Sequence, residues 1–361
     1  MRRIAVLWSE FPPYVAACVQ ALAMRAGVEI SVVRYAYPAD KPFDARARSL
    51  TIPVYTISAR DPLRHQWDEL GALLRDFEPN VAIVSGWAIP AFNRAARYVR
   101  QRGGTVICTS DNPWRGNLKH TLGAVFAKPL FRCRYAALFV PGERARPLAN
   151  ALGFTGKRLI TGSYSCDWPL YAGAYGRLRE DSDHGWPHAF IFVGSLIERK
   201  GLPDIIEAYR AYRLEVDNPW ELWVVGDGPL RSSLETGEGI VPLGFKQPVE
   251  CAELMARAGA FILASHSEPW GVVIHEAATA GLPVLCTDIC GAAADLVSDG
   301  HSGYLFEPGD ADHLRALMVR LTQMSDQQLE TMGRNSHELS KQFTPELWAD
   351  RLLRGLERLG S

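Results

Sequence analysis

The sequence predicts an α/β protein of two doubly wound domains facing a cleft, and three observations carry that prediction. Short apolar runs alternate with helical stretches through residues 1–170 and again through 188–344, the pattern of parallel sheets covered by helices. Between them, residues 171–187 are rich in Gly, Arg, Asp and Ser and lack apolar periodicity, as a linker would. The length of 361 residues exceeds what one hydrophobic core usually fills, since cores rarely grow past roughly 250–300 residues.

Taken in order, Ile4–Leu7 reads as the first strand and Tyr14–Arg25 as a helix. Strands Glu29–Arg34 and Val54–Ile57 follow, then helix Asp68–Phe77, ended by Glu78-Pro79 because the residue before a proline avoids helical angles. Strand Val81–Ser85, helix Pro90–Arg102, closed by Gly103-Gly104, and strand Thr105–Thr109 continue the alternation. Strand Ala136–Val140 and the short helix Pro147–Leu152 complete the first half. The second half runs through strand Ala189–Val193, helix Pro203–Arg213, strand Glu221–Val225, helix Leu230–Glu235, strand Ile240–Leu243 and helix Val249–Ala258. Strand Ala260–Ala264, a small-residue helix from Glu276 to Ala280, strands Val284–Thr287 and Gly303–Phe306, and helix Asp310–Met324 follow. The tail, Pro345–Leu359, has Leu347, Trp348, Leu352, Leu353, Leu356 and Leu359 at helical spacing. It is expected to pack back on the first domain, as a terminal helix spanning 345–361.

Apolar and charged fractions of 47% and 22% are those of an ordinary globular protein, and no apolar run approaches the ~20 residues of a membrane span. Met1-Arg2-Arg3 leads into a first strand instead of the long apolar core of a signal peptide. Seven scattered cysteines suit cytosolic thiols, not a disulfide framework. Cys286 and Cys290 form a pair without a second pair or a histidine cluster, so no metal is expected there.

The net charge of −1 hides an asymmetry, because most of the basic residues fall in the first half and most of the acidic ones in the second. From Asn112 to Gly142 no acidic residue occurs, while Arg115, Lys119, Lys128, Arg132 and Arg134 alternate with Leu118, Leu122, Val125, Phe126, Leu130 and Phe131. Such a segment either lies against an anionic membrane surface, holds an anionic substrate, or forms a solvated basic face.

The chemistry concentrates in Ser267–Ala278. A buried strand enters a turn containing Gly271, and a helix N-terminus opens at the sheet's tip, where open α/β sheets bind ligands and free N–H groups suit a phosphate. Gly194-Ser195-Leu196-Ile197-Glu198-Arg199-Lys200-Gly201 is predicted at the same edge, with Arg199 a bidentate fork and Lys200 a point charge. Glu276 would repel phosphate, so a neutral diol such as a ribose is its natural partner, and Glu268 would face a second polyol. Together these groups describe a nucleotide sugar.

These residues also carry a resemblance. Val193–Gly201, Val224-Val225-Gly226-Asp227-Gly228-Pro229-Leu230, Leu243-Gly244-Phe245, Glu268–Glu276 and Asp299–Asp310 fall in the order and spacing of family 4 of the retaining glycosyltransferases. The match covers roughly residues 188–320; Ile160–Tyr171 resembles the family's hinge-proximal segment, with Asp167 at its acidic position. The resemblance implies a GT-B fold with a C-terminal donor domain. It implies that Glu276 binds the ribose, that Arg199, Lys200 and the amides of Trp270, Gly271, Val272 and Val273 meet the diphosphate and sugar, that Glu268 holds the transferred sugar, and that Gly244 and Phe245 line the base pocket. Gly194 and Ser195 belong to the same donor site, although Ser195 stands where the family usually has arginine. No metal or other cofactor is expected. Asp181-Ser182-Asp183 resembles the metal motif of the other glycosyltransferase fold but sits in the polar linker.

For catalysis the candidates are Glu268, Lys200 and, in the first domain, Asp111, with His120 a second match for the family's N-domain histidine. Acceptor-side candidates are Glu10, Phe11, Tyr14, Trp87, Trp114 and His120. The expected reaction is retaining transfer from a UDP- or GDP-type sugar to a hydroxyl of a saccharide or lipid-linked acceptor, in cell-surface polysaccharide or glycoconjugate synthesis. A cytoplasmic protein, peripheral at the inner face of the membrane and without nucleic-acid partners, is the corresponding expectation. A nucleotide-sugar epimerase of related fold and a non-catalytic nucleotide-sugar binding protein are the alternatives.

Overall fold

The structure, a computed structural model, describes residues 1–36, 51–114, 116, 118–177, 185–234 and 238–360, with the side chains of 118–120 outside that description. The Asp181-Ser182-Asp183 triplet and Arg115 lie outside the described residues. The chain divides into two compact units, Met1–Ser165 with Phe343–Ser361, and Cys166–Gln342.

Unit 1 is a seven-stranded parallel sheet ordered β3-β2-β1-β4-β5-β6-β7. Its strands are β1 (Arg2–Trp8), β2 (Val28–Tyr35), β3 (Val54–Ile57), β4 (Val81–Ser85), β5 (Thr105–Thr109), β6 (Ala137–Val140) and β7 (Leu159–Thr161). Helices α1 (Pro13–Ala23), α2 (Leu63–Phe77), α3 (Pro90–Gln101), α4 (Leu118–Arg134) and α5 (Arg146–Ala151) connect them. β1, β4 and β6 are buried over most of their length, which is why they read as continuous apolar runs. Two helices open on proline, Pro13 in α1 and Pro90 in α3, where the missing N–H costs nothing.

Helix α13 (Pro345–Leu359) belongs to unit 1, far from it in sequence. Thr344 caps it by accepting from the Leu347 amide. Its stripe of Trp348, Ala349, Leu352 and Leu356 enters the core beside Val15, Val19, Ile83 and Phe139, and the Trp348 indole donates to the Ser163 carbonyl at 2.9 Å. Gly355 has no Cβ because Ile160 occupies the space: an added one would lie 2.2 Å from its Cδ1.

Unit 2 is a six-stranded parallel sheet ordered β10-β9-β8-β11-β12-β13. Its strands are β8 (Ala189–Val193), β9 (Glu221–Val225), β10 (Ile240–Gly244), β11 (Ala260–Leu263), β12 (Val284–Thr287) and β13 (Gly303–Phe306). Around it lie α6 (Trp168–Tyr175), α7 (Leu202–Glu215), α8 (Pro248–Arg257), α9 (Val272–Thr279), α10 (Ala293–Leu296), α11 (Ala311–Thr322) and α12 (Asp326–Ser340).

Several elements differ from the sequence reading. The division between units falls at 165/166, and the stretch read as linker begins inside α6, whose Tyr171 and Ala174 are buried. Where a helix Leu230–Glu235 was expected, the described residues form a short 3-10 turn, Arg231–Leu234, and Glu235 lies outside the described residues. α9 starts at Val272, four residues earlier than expected, because Gly271 adopts φ 90° and turns the chain there; the β-branched run Val272-Val273-Ile274 masks that start. Glu276 therefore sits in the second turn of α9. Among the described residues no helix is long and apolar enough to cross a membrane.

Candidate functional site

In unit 2 the strand order reverses at β8, whose neighbours are β9 and β11. Open α/β sheets bind ligands at such a switch point, outside the strand C-termini. The loops leaving β8 and β11 meet there. Gly201 adopts φ 69° between the 3-10 turn Glu198–Lys200 and α7, and an added Cβ would lie 1.9 Å from the Ala264 carbonyl oxygen. No side chain fits. That close approach lets the two loops lock together: the His266 amide donates to the Arg199 carbonyl at 2.9 Å, and the Arg199 guanidinium donates to the Ser267 carbonyl at 2.6 Å. Lys200 and Glu268 form an ion pair with 15% and 10% of their side chains exposed.

The Glu268–Gly271 turn is held from below. The amides of Gly291 and Ala292 donate to the Glu268 and Trp270 carbonyls at 3.0 and 2.8 Å, and a Cβ on Gly291 would reach within 2.0 Å of the Pro269 oxygen. α9 then begins without a proline, so the amides of Val272 and Val273 are among the donors that a helix start cannot satisfy internally. Both residues are half-buried, whereas Trp270 is 2% exposed, which leaves its backbone as the part near the turn's surface. Gly194, Ser195 and Leu196 form the opposite rim. Ser195 is exposed, and the Leu196 amide donates to the Asp227 carbonyl at 2.9 Å. Gly226 at φ 143° passes so close that a Cβ would meet the Gly194 oxygen at 1.8 Å. Gly244 (φ 69°) ends β10 at a bulge, and Phe245 beyond it is 37% exposed, an apolar ring open to solvent.

Glu276 is half-buried one turn into α9. Burial pushes its carboxyl up to about 7, against a hydrogen bond from Tyr171 and the charge of Lys200, which both favour ionisation. Tyr171, 2% exposed in α6, is a site residue that the sequence reading left in its linker; burial and the adjacent Glu276 carboxylate hold its hydroxyl well above the usual phenol range. The neighbouring His275 faces inward. Its Nδ1 accepts from the Cys166 amide at 2.9 Å, so Nε2 carries the proton and donates to the Ser340 carbonyl at 3.0 Å. Burial brings this ring down to about 4 and keeps it neutral. His275 thus ties the ends of α6 and α12 to α9 and fixes the helix that presents Glu276.

Arg199, Lys200, Glu268, Gly271 and Glu276 are brought to one sheet edge, so the site is legible as one feature. The geometry permits cationic groups and helix amides to hold a diphosphate, with carboxylates on either side for hydroxyl donors.

Residues 178–338 match the family model described as glycosyl transferases group 1. That segment is similar to the group 1 glycosyl transferases. Over 162 residues, 43% of this chain and 44% of the relative, the chain is 29% identical to an uncharacterized glycosyltransferase of Methanocaldococcus jannaschii. Over 165 residues, 43% and 42% of the two chains, it is 30% identical to the N-acetyl-alpha-D-glucosaminyl L-malate synthase of Bacillus anthracis. The matches thus span less than half the length of these curated relatives. HepE of Anabaena, solved with UDP and glucose, superposes with a TM-score of 0.75 at 19% identity, covering 99% of this chain and 100% of that one. The fold is therefore GT-B, and the matched segment falls in unit 2.

The unit 1 candidates have their own arrangement. Asp111 follows β5 and accepts a hydrogen bond from the Tyr164 hydroxyl at 3.2 Å. Tyr14 sits edge-on to Tyr164, with ring centroids 5.8 Å apart. Trp87 and Trp114 are half-buried against the core, Trp87 edge-on to Phe131 at 5.0 Å. Glu10 is half-buried in the loop after β1. Phe11 departs from its expected role as an acceptor-side wall: at 4% exposure it is part of the core with Trp8 and Val15. The side chain of His120 lies outside the described residues.

Proposed function

We propose that the protein is a retaining glycosyltransferase that moves a sugar from a UDP- or GDP-type nucleotide sugar to a hydroxyl of a saccharide or lipid-linked acceptor. The observation that carries this reading is the pair of loops at the β8/β11 switch point, which bring Lys200, Arg199 and the start of α9 to one edge with the carboxylates Glu268 and Glu276. HepE, of the same fold, was solved with UDP and glucose, which supports a nucleotide-sugar donor.

In this reading Glu276 accepts hydrogen bonds from the ribose diol, and Tyr171 keeps it ionisable near neutral pH. Arg199, Lys200 and the Val272 and Val273 amides stabilise the leaving diphosphate, and this reading calls on no metal. Glu268, displaced from Lys200, takes hydroxyls of the transferred sugar. The anomeric C–O bond to the diphosphate breaks while the acceptor oxygen bonds the same carbon from the same face, and the acceptor proton passes to the departing phosphate oxygen. Positioning and charge stabilisation supply the catalysis. Asp111 orients an acceptor hydroxyl, and Glu10, Tyr14, Trp87 and Trp114 suit a neutral saccharide. Turnover of UDP-glucose or a GDP-sugar, followed by proton NMR of the product anomer, tests the reading; an inverted anomer contradicts retention.

A membrane-side acceptor is supported by α4. It buries Ala124 and Phe131 but leaves Leu122, Val125, Phe126 and Leu130 56%, 59%, 80% and 53% exposed. With Lys128 and Arg132 also exposed, α4 suits peripheral contact with an anionic membrane. Sedimentation with anionic vesicles should carry the protein down at low salt; absence of binding at every salt concentration removes this part.

A further inference from the structure

Unit 1 contains a second cationic concavity that the transfer reading does not use. A groove of about 720 Å³ runs between α13 and α5 over the edge strand β7 and the turn at Gly156, and Arg146, Arg351, Arg354 and Arg358 line it with Glu357. Four arginines and one carboxylate thus share its lining, and that carboxylate is already 3.9 Å from Arg2.

The spacing of these arginines runs against what an isolated helix prefers. Arg351 and Arg354 stand three apart, Arg354 and Arg358 four apart, so like charges share one face of α13 and repel by a few tenths of a kcal/mol per pair. A cation in the last turn complements the helix dipole, which accounts for Arg358 and not for the other three. Among the described residues, Arg354 and Arg358 form no ion pair. Arg146 is paired with Glu143 at 3.1 Å.

Part of the groove is also set in advance. Arg351 stacks over Phe343 with 5.2 Å between guanidinium carbon and ring centroid. It lies across Gly162, where an added Cβ would come 2.1 Å from its Nη1. The nearby Arg158 is turned away, donating to the carbonyls of Ala136, Tyr135 and Arg132, so it does not crowd the groove. At Gly156 (φ 54°) a Cβ would meet nothing within 4 Å, leaving the floor open.

We infer that this groove is a binding site for a ligand bearing clustered phosphate groups, separate from the nucleotide-sugar site of unit 2. Planar guanidinium forks arranged around a concavity match phosphate oxygens in bidentate fashion, and the bound anion removes the repulsion along α13. The phosphates come either from a soluble oligophosphate or from lipid headgroups.

The test uses the full chain and two double variants. R354Q/R358Q removes two exposed groove arginines, and R64Q/R75Q removes two exposed arginines of α2 as a charge-matched control. Calorimetric titration with tripolyphosphate and sedimentation with phosphatidylglycerol vesicles are run on each, with thermal melts to confirm that both variants are folded. The expected result is saturable one-to-one tripolyphosphate binding weakened at least tenfold by R354Q/R358Q and left unchanged by R64Q/R75Q, which assigns a soluble source. Loss of vesicle binding in R354Q/R358Q alone, without tripolyphosphate binding, supports the site with a headgroup source. Equal behaviour of the two variants in both assays overturns the inference.

Discussion

The two sheets reverse strand order at comparable places, β1/β4 in unit 1 and β8/β11 in unit 2, yet the loops there are chemically opposite. In unit 1 the loops Ser9–Pro12 and Gly86–Ile89 contain no lysine or arginine, carry Glu10 and Trp87, and lead into helices that open on Pro13 and Pro90. In unit 2 the loops carry Arg199 and Lys200, and α9 opens on Val272 with its first amides intact. One architecture therefore carries two kinds of loop: basic ones with a proline-free helix start in unit 2, and ones without lysine or arginine that lead into proline-started helices in unit 1. Function lives in the loops, not in the shared topology.

The largest expected difference between the two edges lies in the backbone. Gly201 and Gly86 both have positive φ, 69° and 76°, but only Gly201 faces a backbone oxygen, whereas a Cβ at Gly86 meets nothing within 4 Å. Gly201→Ala should destabilise the protein by more than about 3 kcal/mol, through the clash and the left-handed backbone together. Gly86→Ala should cost about 1–2 kcal/mol, the left-handed penalty alone. Urea unfolding of the two variants checks this; equal losses would mean that the unit 2 loops are not locked.

Next in size is the ion pair. Lys200→Ala should lower kcat by about 10²–10³, the loss typical of one preorganised charge-stabilising group, while Asn substitution of Glu10 in unit 1 should leave nucleotide affinity unchanged. Steady-state kinetics and nucleotide titration separate the two edges.

A smaller effect is expected from pH. The folded pKa of Glu276, about 7, lies above its ordinary 4.5, so the folded state keeps this proton between those values and stability falls as pH rises through that window. His275 acts in the opposite sense: its folded value of about 4 lies below 6.5, so stability is lost as pH falls from 6.5 towards 4. Glu276→Gln should remove the first slope, worth roughly 2 kcal/mol after allowing for partial exposure, in denaturation series run from pH 5 to 8. Nucleotide affinity should rise between pH 6 and 8 in the wild type and stay flat in Glu276→Gln. The smallest change is Tyr171→Phe, which should weaken nucleotide binding about 3–10-fold at pH 7, as loss of a charge-assisted hydrogen bond does, and shift the affinity profile to higher pH.

Much of this was legible in the sequence because buried parallel strands read as apolar runs. The β8 and β11 loops could be assigned to one edge because each follows such a run. Tyr171 was not legible, since its role depends on α6 folding against α9, a contact between residues more than a hundred apart in the chain. The start of α9 was hidden by Val272-Val273-Ile274, whose β-branched side chains suggest a strand until Gly271 is seen in the left-handed region. Phe11 was an acceptor-side candidate in the sequence. Only packing shows that it fills the core. The unit 1 groove was equally hidden, since Arg146 and the α13 arginines converge only when the terminal helix lies over β7.

The central claim is that the β8/β11 edge holds a nucleotide diphosphate with Glu276 on its ribose. Calorimetric titration of UDP and GDP into the wild type and Glu276→Ala at pH 8, where the carboxylate is ionised, tests it most directly. The expected result is saturable binding of at least one nucleotide by the wild type, weakened at least tenfold in the variant. Undiminished binding by Glu276→Ala, or no binding by the wild type, contradicts it.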